Sequence, residues 1–288
     1  HRGPDNDGFF YDLINICKIK FGHKRLSILD LKNGRQPMFS ENKSVIVVYN
    51  GEIYNSKILR QNLINKGHNF LSTNSDTEIL VHGYKEWGES LPLYLDGMWS
   101  FAILDKTNNK IFTSRDKLGE KPFFYYYKDK QFIFSSELSA FTKFNNLDLS
   151  YNFDNLKKYC GYGFFPGDLT PYKYIKKLEN GSNLLFDLNK LNFIIKKYWE
   201  YKIEPDYSYD EQYWKERLEF AIDRSVKDRL ISDVPTGIFL SGGLDSSIIT
   251  YHAKKYSNNT LKTFSIKFEN KTFDETEHAK YISNLFQT

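Results

Sequence analysis

The residues with the clearest chemical potential form a loop rich in serine and glycine near the C-terminal end of the sequence. Positions 236–250 read Thr-Gly-Ile-Phe-Leu-Ser-Gly-Gly-Leu-Asp-Ser-Ser-Ile-Ile-Thr. Gly242 and Gly243 lack the Cβ atoms that would keep backbone N–H groups away from an anion. Hydroxyl donors are supplied by Ser241, Ser246 and Ser247. A helix-compatible stretch follows, and a helix N-terminus favours negative charge. The loop is therefore predicted to bind phosphate, with ATP as the ligand.

Several kinds of phosphate or nucleophile site are excluded by what this loop lacks. A Walker loop requires a lysine, and none occurs from Thr236 to Tyr251. A nucleophile elbow requires glycine two residues before the serine, where Phe239 precedes Ser241. Asp245 is better suited to holding Mg²⁺ beside phosphate than to contacting phosphate itself. An ordinary turn after a strand is the alternative for an isolated Ser-Gly-Gly.

The seven residues 241–247, Ser-Gly-Gly-Leu-Asp-Ser-Ser, resemble the pyrophosphate-binding loop of the ATP pyrophosphatase family. Members of that family cleave ATP between the α and β phosphates. The approach at 232–237, Ser-Asp-Val-Pro-Thr-Gly, resembles the branch of glutamine-hydrolysing asparagine synthetases. The resemblance implies Mg²⁺ at Asp245 and ATP contacts at Leu240, Ser241, Gly242, Gly243, Leu244, Asp245, Ser246, Ser247 and Ile266. For Ile266, on a predicted strand at 263–268, plain core packing is at least as good an interpretation.

The front of the chain carries segments that resemble class II glutamine amidotransferases, in the order of that family. They are His1-Arg2-Gly3-Pro4-Asp5, His23-Lys24-Arg25-Leu26-Ser27-Ile28-Leu29-Asp30, Gln36-Pro37, Tyr49-Asn50-Gly51-Glu52-Ile53-Tyr54-Asn55, Ser75-Asp76-Thr77-Glu78, Leu95-Asp96-Gly97-Met98-Trp99-Ser100-Phe101-Ala102 and Ser114-Arg115-Asp116-Lys117-Leu118-Gly119. The resemblance implies an α+β glutaminase domain of the N-terminal nucleophile hydrolase type, with four αββα layers. The start of an α/β parallel-sheet ATP pyrophosphatase domain, similar to adenine nucleotide hydrolases, would follow it.

These segments divide the task of binding a free glutamine. An amino acid presents a carboxylate, which suits the bidentate cation Arg25, and an ammonium, which suits the carboxylates Glu52 and Asp76. In the resembling enzymes the oxyanion hole consists of an asparagine side chain and the next backbone N–H, here Asn50 and Gly51. The implied glutamine-binding set is Arg25, Leu26, Ser27, Ile28, Leu29, Asn50, Gly51, Glu52 and Asp76.

The apolar, β-branched run from Val45 to Tyr49 predicts a strand, with Asn50 and Gly51 at its end. Taken alone, Asn-Gly favours a hairpin turn instead. The Glu-Ile-Tyr-Asn that follows favours the oxyanion hole, on resemblance.

The family's nucleophile is an N-terminal cysteine that should precede His1, so the chain is expected to be a fragment. Cys17 lies in an apolar stretch, residues 13–17, that predicts a buried strand, and Cys160 lies far along the chain. Neither has the free α-amine or the activating setting that a nucleophilic thiol needs. In the resembling family the synthetase domain also continues for many residues beyond the position that corresponds to Thr288. Complete synthetase activity is therefore not expected of these residues, and the C-terminal part is expected to be unstable alone.

Length and composition suit two domains, with enough hydrophobic residues for a core in each. The chain has 288 residues, 40% of them hydrophobic, a net charge of +4 and two cysteines. No long basic block or apolar run of membrane length occurs, so neither nucleic acid nor membrane is an expected partner. Two cysteines in a chain of this length favour a reducing, cytoplasmic setting. A homodimer remains open.

The predicted organisation is an amidotransferase domain at residues 1–200, a linker at 201–208 and an ATP-binding segment at 209–288. Helical spacing predicts helices at 58–66, 77–87 and 209–230, the last with the apolar face Tyr213, Leu218, Ala221, Ile222, Val226 and Leu230. A shorter helix is expected at 152–159. Residues 123–127 and 131–134 predict two strands joined by a polar turn, and 175–199 resembles the last hairpin of the first domain.

The resulting hypothesis is an amidotransferase ligase that uses glutamine, aspartate, ATP and Mg²⁺. Glutamine-derived ammonia would amidate aspartate through an acyl adenylate, giving asparagine, AMP and pyrophosphate. Within the class, the acceptor could instead be a sugar acid or a peptide-like acid. From another class, the alternative is a non-catalytic regulatory protein that binds glutamine and ATP.

Overall fold

Two segments of the chain, His1–Lys202 and Ile203–Thr288, fold as separate units in the computed structural model. The structure describes residues 2–257, 261–270, 272 and 274–288. His1, which opens the first amidotransferase segment, lies outside the described residues. The division falls inside the range for which the sequence predicts a linker.

The first unit is built mainly from antiparallel strands. In chain order they are β1 (Asn6–Ile14), β2 (Cys17–Arg25), β3 (Met38–Phe39), β4 (Val45–Ile53), β5 (Gly97–Asp105), β6 (Lys110–Arg115), β7 (Phe124–Lys128), β8 (Gln131–Ser135), β9 (Ile175–Lys177), β10 (Ser182–Asp187) and β11 (Asn192–Lys197). Six of them form one sheet in the order β11-β10-β6-β5-β4-β3, while β8-β7-β9 and β1-β2 form smaller sheets. The predicted pair at 123–127 and 131–134 is confirmed as β7 and β8.

The helices of the first unit are α1 (Ser56–Asn65), α2 (Asp76–Trp87) and α3 (Phe153–Tyr162), with 3₁₀ helices at Gly88–Leu93 and Leu138–Lys143. The three predicted helices in this unit are therefore confirmed, with small shifts at their ends. Apolar side chains of α1 and α2, including Leu63, Ile79 and Leu80, are fully buried against one face of the large sheet. Val47 and Trp99 are the matching buried residues of that sheet. The burial of the α1 and α2 side chains is what their helical spacing predicts.

The opposite face of the large sheet packs against the two smaller sheets. Ile46 and Val48 of β4 share a buried core with Phe21 of β2 and with Phe123 and Tyr125 near β7. Because side chains alternate along a strand, even-numbered residues of β4 face this inner layer and odd-numbered residues face the helices. The outer side of the β7 sheet packs on Phe141 of the second 3₁₀ helix. The order of layers is thus helix, sheet, sheet and a short outer helix.

The structure corrects two local expectations about β-structure. Residues 13–17 are not one strand, because Asn15 and Ile16 form a two-residue turn that pairs Ile14 with Cys17. Asn15 has φ of 55°, a conformation that asparagine tolerates better than most residues. Asn50 and Gly51 are neither at a strand end nor in a hairpin turn. They lie within β4, opposite Ser100 and Trp99 of β5.

The second unit has helices α4 (Glu211–Arg229), α5 (Leu244–Tyr256) and α6 (Thr276–Phe286) and strands β12 (Gly237–Phe239) and β13 (Lys262–Phe264). The two strands are parallel neighbours. The predicted helix at 209–230 is confirmed as α4, but only part of its apolar face is used in this unit. Val226 is buried with Ala253 and Leu261, whereas Leu218 is 62% exposed. Among the described residues the core of this unit is too small to cover the whole predicted face.

Gly51 is fixed by close packing, which makes a substitution informative. A Cβ there would lie 2.2 Å from the carbonyl oxygen of Met98 and 2.9 Å from Cα of Trp99. The Tyr49 ring is also close, at 2.6 Å. Because the nearest obstacle is a backbone atom, Gly51→Ala is expected to lower the free energy of unfolding by about 1–3 kcal/mol. Urea denaturation of the purified chain measures this.

Gly161→Ala is the matched control for that measurement. Gly161 lies in α3, and a Cβ there would meet no atom within 4 Å. Because alanine favours a helix, this variant should be unchanged or more stable by about 0.5–1 kcal/mol. Equal stability of the two variants would contradict the packing described for Gly51.

Candidate functional site

A cavity of about 520 Å³ lies between the large sheet and the smaller sheets of the first unit. Its wall contains most of the residues that the sequence predicts to bind glutamine: Arg25, Leu26, Ile28, Leu29, Asn50, Gly51, Glu52 and Asp76. Ser27 does not line it, and its backbone N–H donates to Oδ2 of Asp5 at 2.7 Å. Residues from β2, the loop after it, β4 and α2 therefore come together at one place.

The cavity lies where β4 loses its neighbouring strand. β3 pairs with β4 only at Val47 and Ile46, while β4 continues to Ile53. Beyond that point the edge of β4 is completed by side chains. The N–H of Tyr49 donates to Oε1 of Gln36 at 2.6 Å, and the N–H of Ile53 donates to Oδ2 of Asp76 at 3.1 Å.

Gly51 lies between these two residues on the same edge. In an antiparallel strand, backbone groups point alternately to the two neighbours, so Tyr49, Gly51 and Ile53 point the same way. The N–H of Tyr54, by contrast, donates toward the β5 side, to the carbonyl of Asp96. The N–H of Gly51 is therefore directed to the open edge of β4, where a bound group can accept it.

Asn50 and Glu52 present their side chains to the inner layer, on the same side of β4 as Val48. Both line the cavity. The amide of Asn50 makes no hydrogen bond within the part of the chain that the structure describes, so its Nδ2 hydrogens remain available. A side-chain amide and the next backbone N–H are thus two donors without a partner among the described residues at this cavity wall, and donors of these two kinds can stabilise an oxyanion.

Two carboxyl groups share the cavity wall, and their environment opposes ionisation. Burial, followed by the neighbouring charge of Asp76, raises the pKa of Glu52 to about 8, and Lys121 partly offsets this. Burial also raises the pKa of Asp76, against hydrogen bonds from the Tyr49 hydroxyl and backbone N–H groups. The Tyr49 hydroxyl donates to Oδ2 of Asp76 at 2.9 Å. A cation placed between the carboxyl groups would favour their charged forms.

Arg25 is buried and its guanidinium is partly occupied by the chain itself. Nη2 donates to the carbonyls of Leu29 and Asp30 at 2.8 and 2.9 Å, and Nη1 donates to that of Leu31 at 3.3 Å. The sequence predicts a bidentate contact with a carboxylate, but the structure uses both terminal nitrogens to shape the loop after β2. Nε has no acceptor among the described residues and can still bind an anion.

Sequence reasoning missed several residues of this wall. His23, Gln36 and Lys121 line the cavity, as does the ion pair of Arg2 and Glu137, whose Nη1 and Oε1 are 3.2 Å apart. Burial lowers the pKa of His23. Its Nε2 lies 2.9 Å from the Tyr49 carbonyl, so His23 also completes the open edge of β4. The sequence does carry a signal for His23 and Gln36, because both lie within the segments that resemble class II amidotransferases.

The Ser-Arg-Asp-Lys-Leu-Gly segment has a structural explanation at this site. Buried Asp116 accepts hydrogen bonds from the backbone N–H groups of Leu118, Glu120 and Lys121. Arg115 donates to the carbonyls of Lys121 and Gly119. The two side chains fold the loop that places Lys121 in the cavity wall.

In the second unit the predicted phosphate loop connects β12 to α5. Gly242 has φ of 87°, and a Cβ there would lie 2.5 Å from the backbone of His278 in α6. The hydroxyls of Ser241 and Ser246 are 3.0 Å apart, and Ser247 donates to the carbonyl of Gly243 at 2.7 Å. Leu244 and Asp245, in the first turn of α5, are exposed. The helix N-terminus is thus accessible to an anion, as a phosphate loop requires.

The two residues predicted to contact adenosine differ in environment. Leu240 is 2% exposed, and its N–H donates to the carbonyl of Phe264. Ile266 is 70% exposed and lies beyond β13, so it does not pack in the core of this unit. Within the described ranges no cluster of three His, Cys, Asp or Glu side chains suits a metal ion. Mg²⁺ at Asp245 stays a prediction. It does not need such a cluster, because Mg²⁺ at nucleotide sites is commonly held by one or two carboxylates together with the phosphates.

Neither cysteine lines the cavity. Cys17 is half-buried, its thiol donates to the carbonyl of Leu188 at 3.4 Å, and burial raises its pKa. Cys160 is exposed on α3. Both are free thiols, and neither is placed to attack a group bound between the sheets.

No helix among the described residues is long and apolar enough to cross a membrane.

Comparison with known proteins gives matches along nearly the whole chain. A family model described as glutamine amidotransferase domain matches residues 1–199, and one described as asparagine synthase matches residues 217–288. A relative from Methanocaldococcus jannaschii is 40% identical across 100% of this chain and 58% of its own length. Asparagine synthetases [glutamine-hydrolyzing] 1 and 3 of Bacillus subtilis are each 38% identical, over 97% and 99% of this chain and 43% and 45% of their own lengths.

The chain therefore spans about half the length of the curated relatives it matches. Among solved structures, the glutamine phosphoribosylpyrophosphate amidotransferase of B. subtilis is similar with a TM-score of 0.42 and 16% identity, over 88% of this chain and 53% of that one. The matches to the two family models show that this chain belongs to the glutamine amidotransferase family, on the branch that carries an asparagine synthase domain.

Proposed function

We propose that this chain binds free glutamine in the cavity of the first unit and ATP at the loop of the second. The bound glutamine would supply ammonia for the amidation of aspartate. Aspartate would be activated as its adenylate, with release of AMP and pyrophosphate. The names of the relatives, asparagine synthetase [glutamine-hydrolyzing], support this assignment.

The observation that carries the proposal is that one cavity wall contains both carboxyl groups and hydrogen-bond donors. Glu52 and Asp76 offer carboxylates to an ammonium, while Asn50 and Gly51 offer adjacent donors to a carbonyl oxygen that gains charge. A free amino acid with a side-chain amide presents both groups. Oxyanion donors of this kind contribute roughly 3 kcal/mol each to acyl transfer.

At the second unit, the accessible N-terminus of α5 and the left-handed Gly242 support a polyphosphate ligand. Asp245 would hold Mg²⁺ against the phosphates, and ATP would supply the activation of the acceptor carboxylate. The two free cysteines favour a reducing, cytoplasmic setting.

Glutamine binding should depend on the carboxylates of the first unit. Glu52→Gln is expected to weaken the binding of glutamine by about 1.5–3 kcal/mol, because a charge-assisted hydrogen bond is lost. Arg25→Ala should weaken it by a similar ~1.5–3 kcal/mol. Isothermal titration calorimetry measures both. Glu41→Gln is the control, since Glu41 is exposed and lies outside the cavity wall. Unchanged affinity in both cavity variants would remove glutamine from this site.

The affinity for glutamine should also change with pH in a defined direction. Glu52 has a pKa of about 8 in the free cavity. It must lose its proton to bind an ammonium, so affinity should fall by about tenfold per pH unit as pH decreases below that value. Calorimetry at several pH values up to about 8.5 measures the slope. In Glu52→Gln the slope should disappear, and a wild-type affinity that is flat from pH 6 to 8 would contradict the role of Glu52.

The acceptor can be identified from pyrophosphate release by the protein expressed from its complete gene. With MgATP and glutamine, aspartate should support pyrophosphate release, and a sugar acid such as glucuronate should not. Asp245→Asn should reduce the rate by about tenfold or more, because Mg²⁺ would lose a charged ligand. Release with the sugar acid and none with aspartate would exclude asparagine synthesis while leaving ATP use intact.

A further inference from the structure

A second cavity, of about 250 Å³, lies at the β10–β11 end of the large sheet. The strand register defines its floor. Asn183 of β10 is opposite Lys196 of β11, and Leu185 is opposite Ile194 of β11 and Phe112 of β6. Residues opposite each other across antiparallel strands share a face, so these side chains lie together. The 3₁₀ helix Gly88–Leu93 forms the facing wall through Glu89, Ser90 and Leu93.

Asn183 is the unusual residue of this cavity. It is only 9% exposed, and its Oδ1 is buried without a hydrogen-bond partner. Nδ2 also has no partner among the residues that the structure describes. A buried amide of this kind lowers stability unless something pairs with it, so each instance calls for an explanation. Because either orientation of the amide offers one acceptor and one donor, a matching ligand must present one of each.

The rim of the cavity carries opposite charges side by side. Oε2 of Glu89 is 3.3 Å from Nζ of Lys196, and Oε1 is 3.9 Å from Nζ of Lys110. Lys197 also lines the cavity. These groups are partly exposed, so their mutual attraction is weak and a ligand can replace it. A carboxylate and a nearby ammonium would each find a partner of opposite charge here, whereas Glu89 would oppose a phosphate.

We propose that this cavity binds a free α-amino acid whose side chain ends in a carboxamide. The Asn183 side chain, turned toward the cavity, would exchange two hydrogen bonds with the ligand's amide, so Oδ1 would gain the donor that it lacks in the free chain. The ligand's carboxylate would contact Lys196 or Lys197, and its ammonium would contact Glu89. Its methylene carbons would pack on Leu185 and Ile194.

This site is independent of the proposed glutamine cavity. The floor residues Phe112 and Leu185 belong to the core beneath the helices, whereas Glu52 and Asn50 face the layer between the sheets. Loss of one site therefore leaves the other intact.

Titration calorimetry with L-asparagine, compared with L-aspartate, tests the proposal on this chain. Aspartate has nearly the same shape but lacks the amide N–H, so its affinity should be at least about tenfold lower than that of asparagine. Asn183→Leu should reduce the affinity for asparagine by about tenfold or more. It should still fold, because an apolar side chain replaces an unpartnered polar one. Lys196→Gln should reduce the affinity several-fold and serves as a second variant.

Glu52→Gln is the control for binding in the other cavity and should leave the asparagine affinity unchanged. The proposal is overturned if asparagine does not bind, if aspartate binds equally well, or if Asn183→Leu retains full affinity. It is also overturned if Glu52→Gln, and not Asn183→Leu, abolishes binding, because asparagine would then occupy the glutamine cavity.

Discussion

The unequal lengths of two neighbouring strands govern the first unit. β3 has two residues and β4 has nine, so the backbone of β4 from Tyr49 onward lacks a strand partner on one side. Buried backbone groups need hydrogen bonds, and here Gln36, His23 and Asp76 supply them from three different elements. This requirement brings the loop after β2, the cavity and the start of α2 together. It also leaves the N–H of Gly51 directed at an open edge.

The same arrangement places two carboxyl groups in the cavity, and within the described part of the chain no neighbouring cation balances both charges. Asp76 completes the edge of β4, and its carboxylate lies in the surroundings of Glu52, where burial already disfavours charge. Protonation of Glu52 at neutral pH removes the cost of two buried negative charges. A ligand with an ammonium group would remove that cost in another way and would release the proton. The positions of the two carboxyl groups therefore make the cavity favour a cation.

The sequence predicts those features that local patterns and short motifs determine. Helical spacing predicts α1, α2 and α4, and the aromatic runs predict β7 and β8. Burial of one face of an element makes apolar residues recur in the sequence with the period of that element. The turn at Asn15 was missed, since an apolar residue, Ile16, occupies its second position. Because the apolar run stops at Tyr49, the sequence predicts a strand end at Asn50 and Gly51. The strand in fact continues to Ile53, held by β5 on one side. No local pattern shows where a neighbouring strand ends.

Long-range contacts account for the remaining differences. Arg25 was predicted as a free bidentate cation, but its two terminal nitrogens hold the carbonyls of residues 29–31. Lys121 enters the cavity only because Arg115 and Asp116 fold the preceding loop. The role proposed for Glu52 is tested most directly by following its side-chain carboxyl carbon by NMR across a pH titration, without and with saturating glutamine. This role predicts a midpoint of about 8 in the free chain and a clear decrease when glutamine is bound. A midpoint near the ordinary value for glutamate, or one that glutamine does not change, would contradict it.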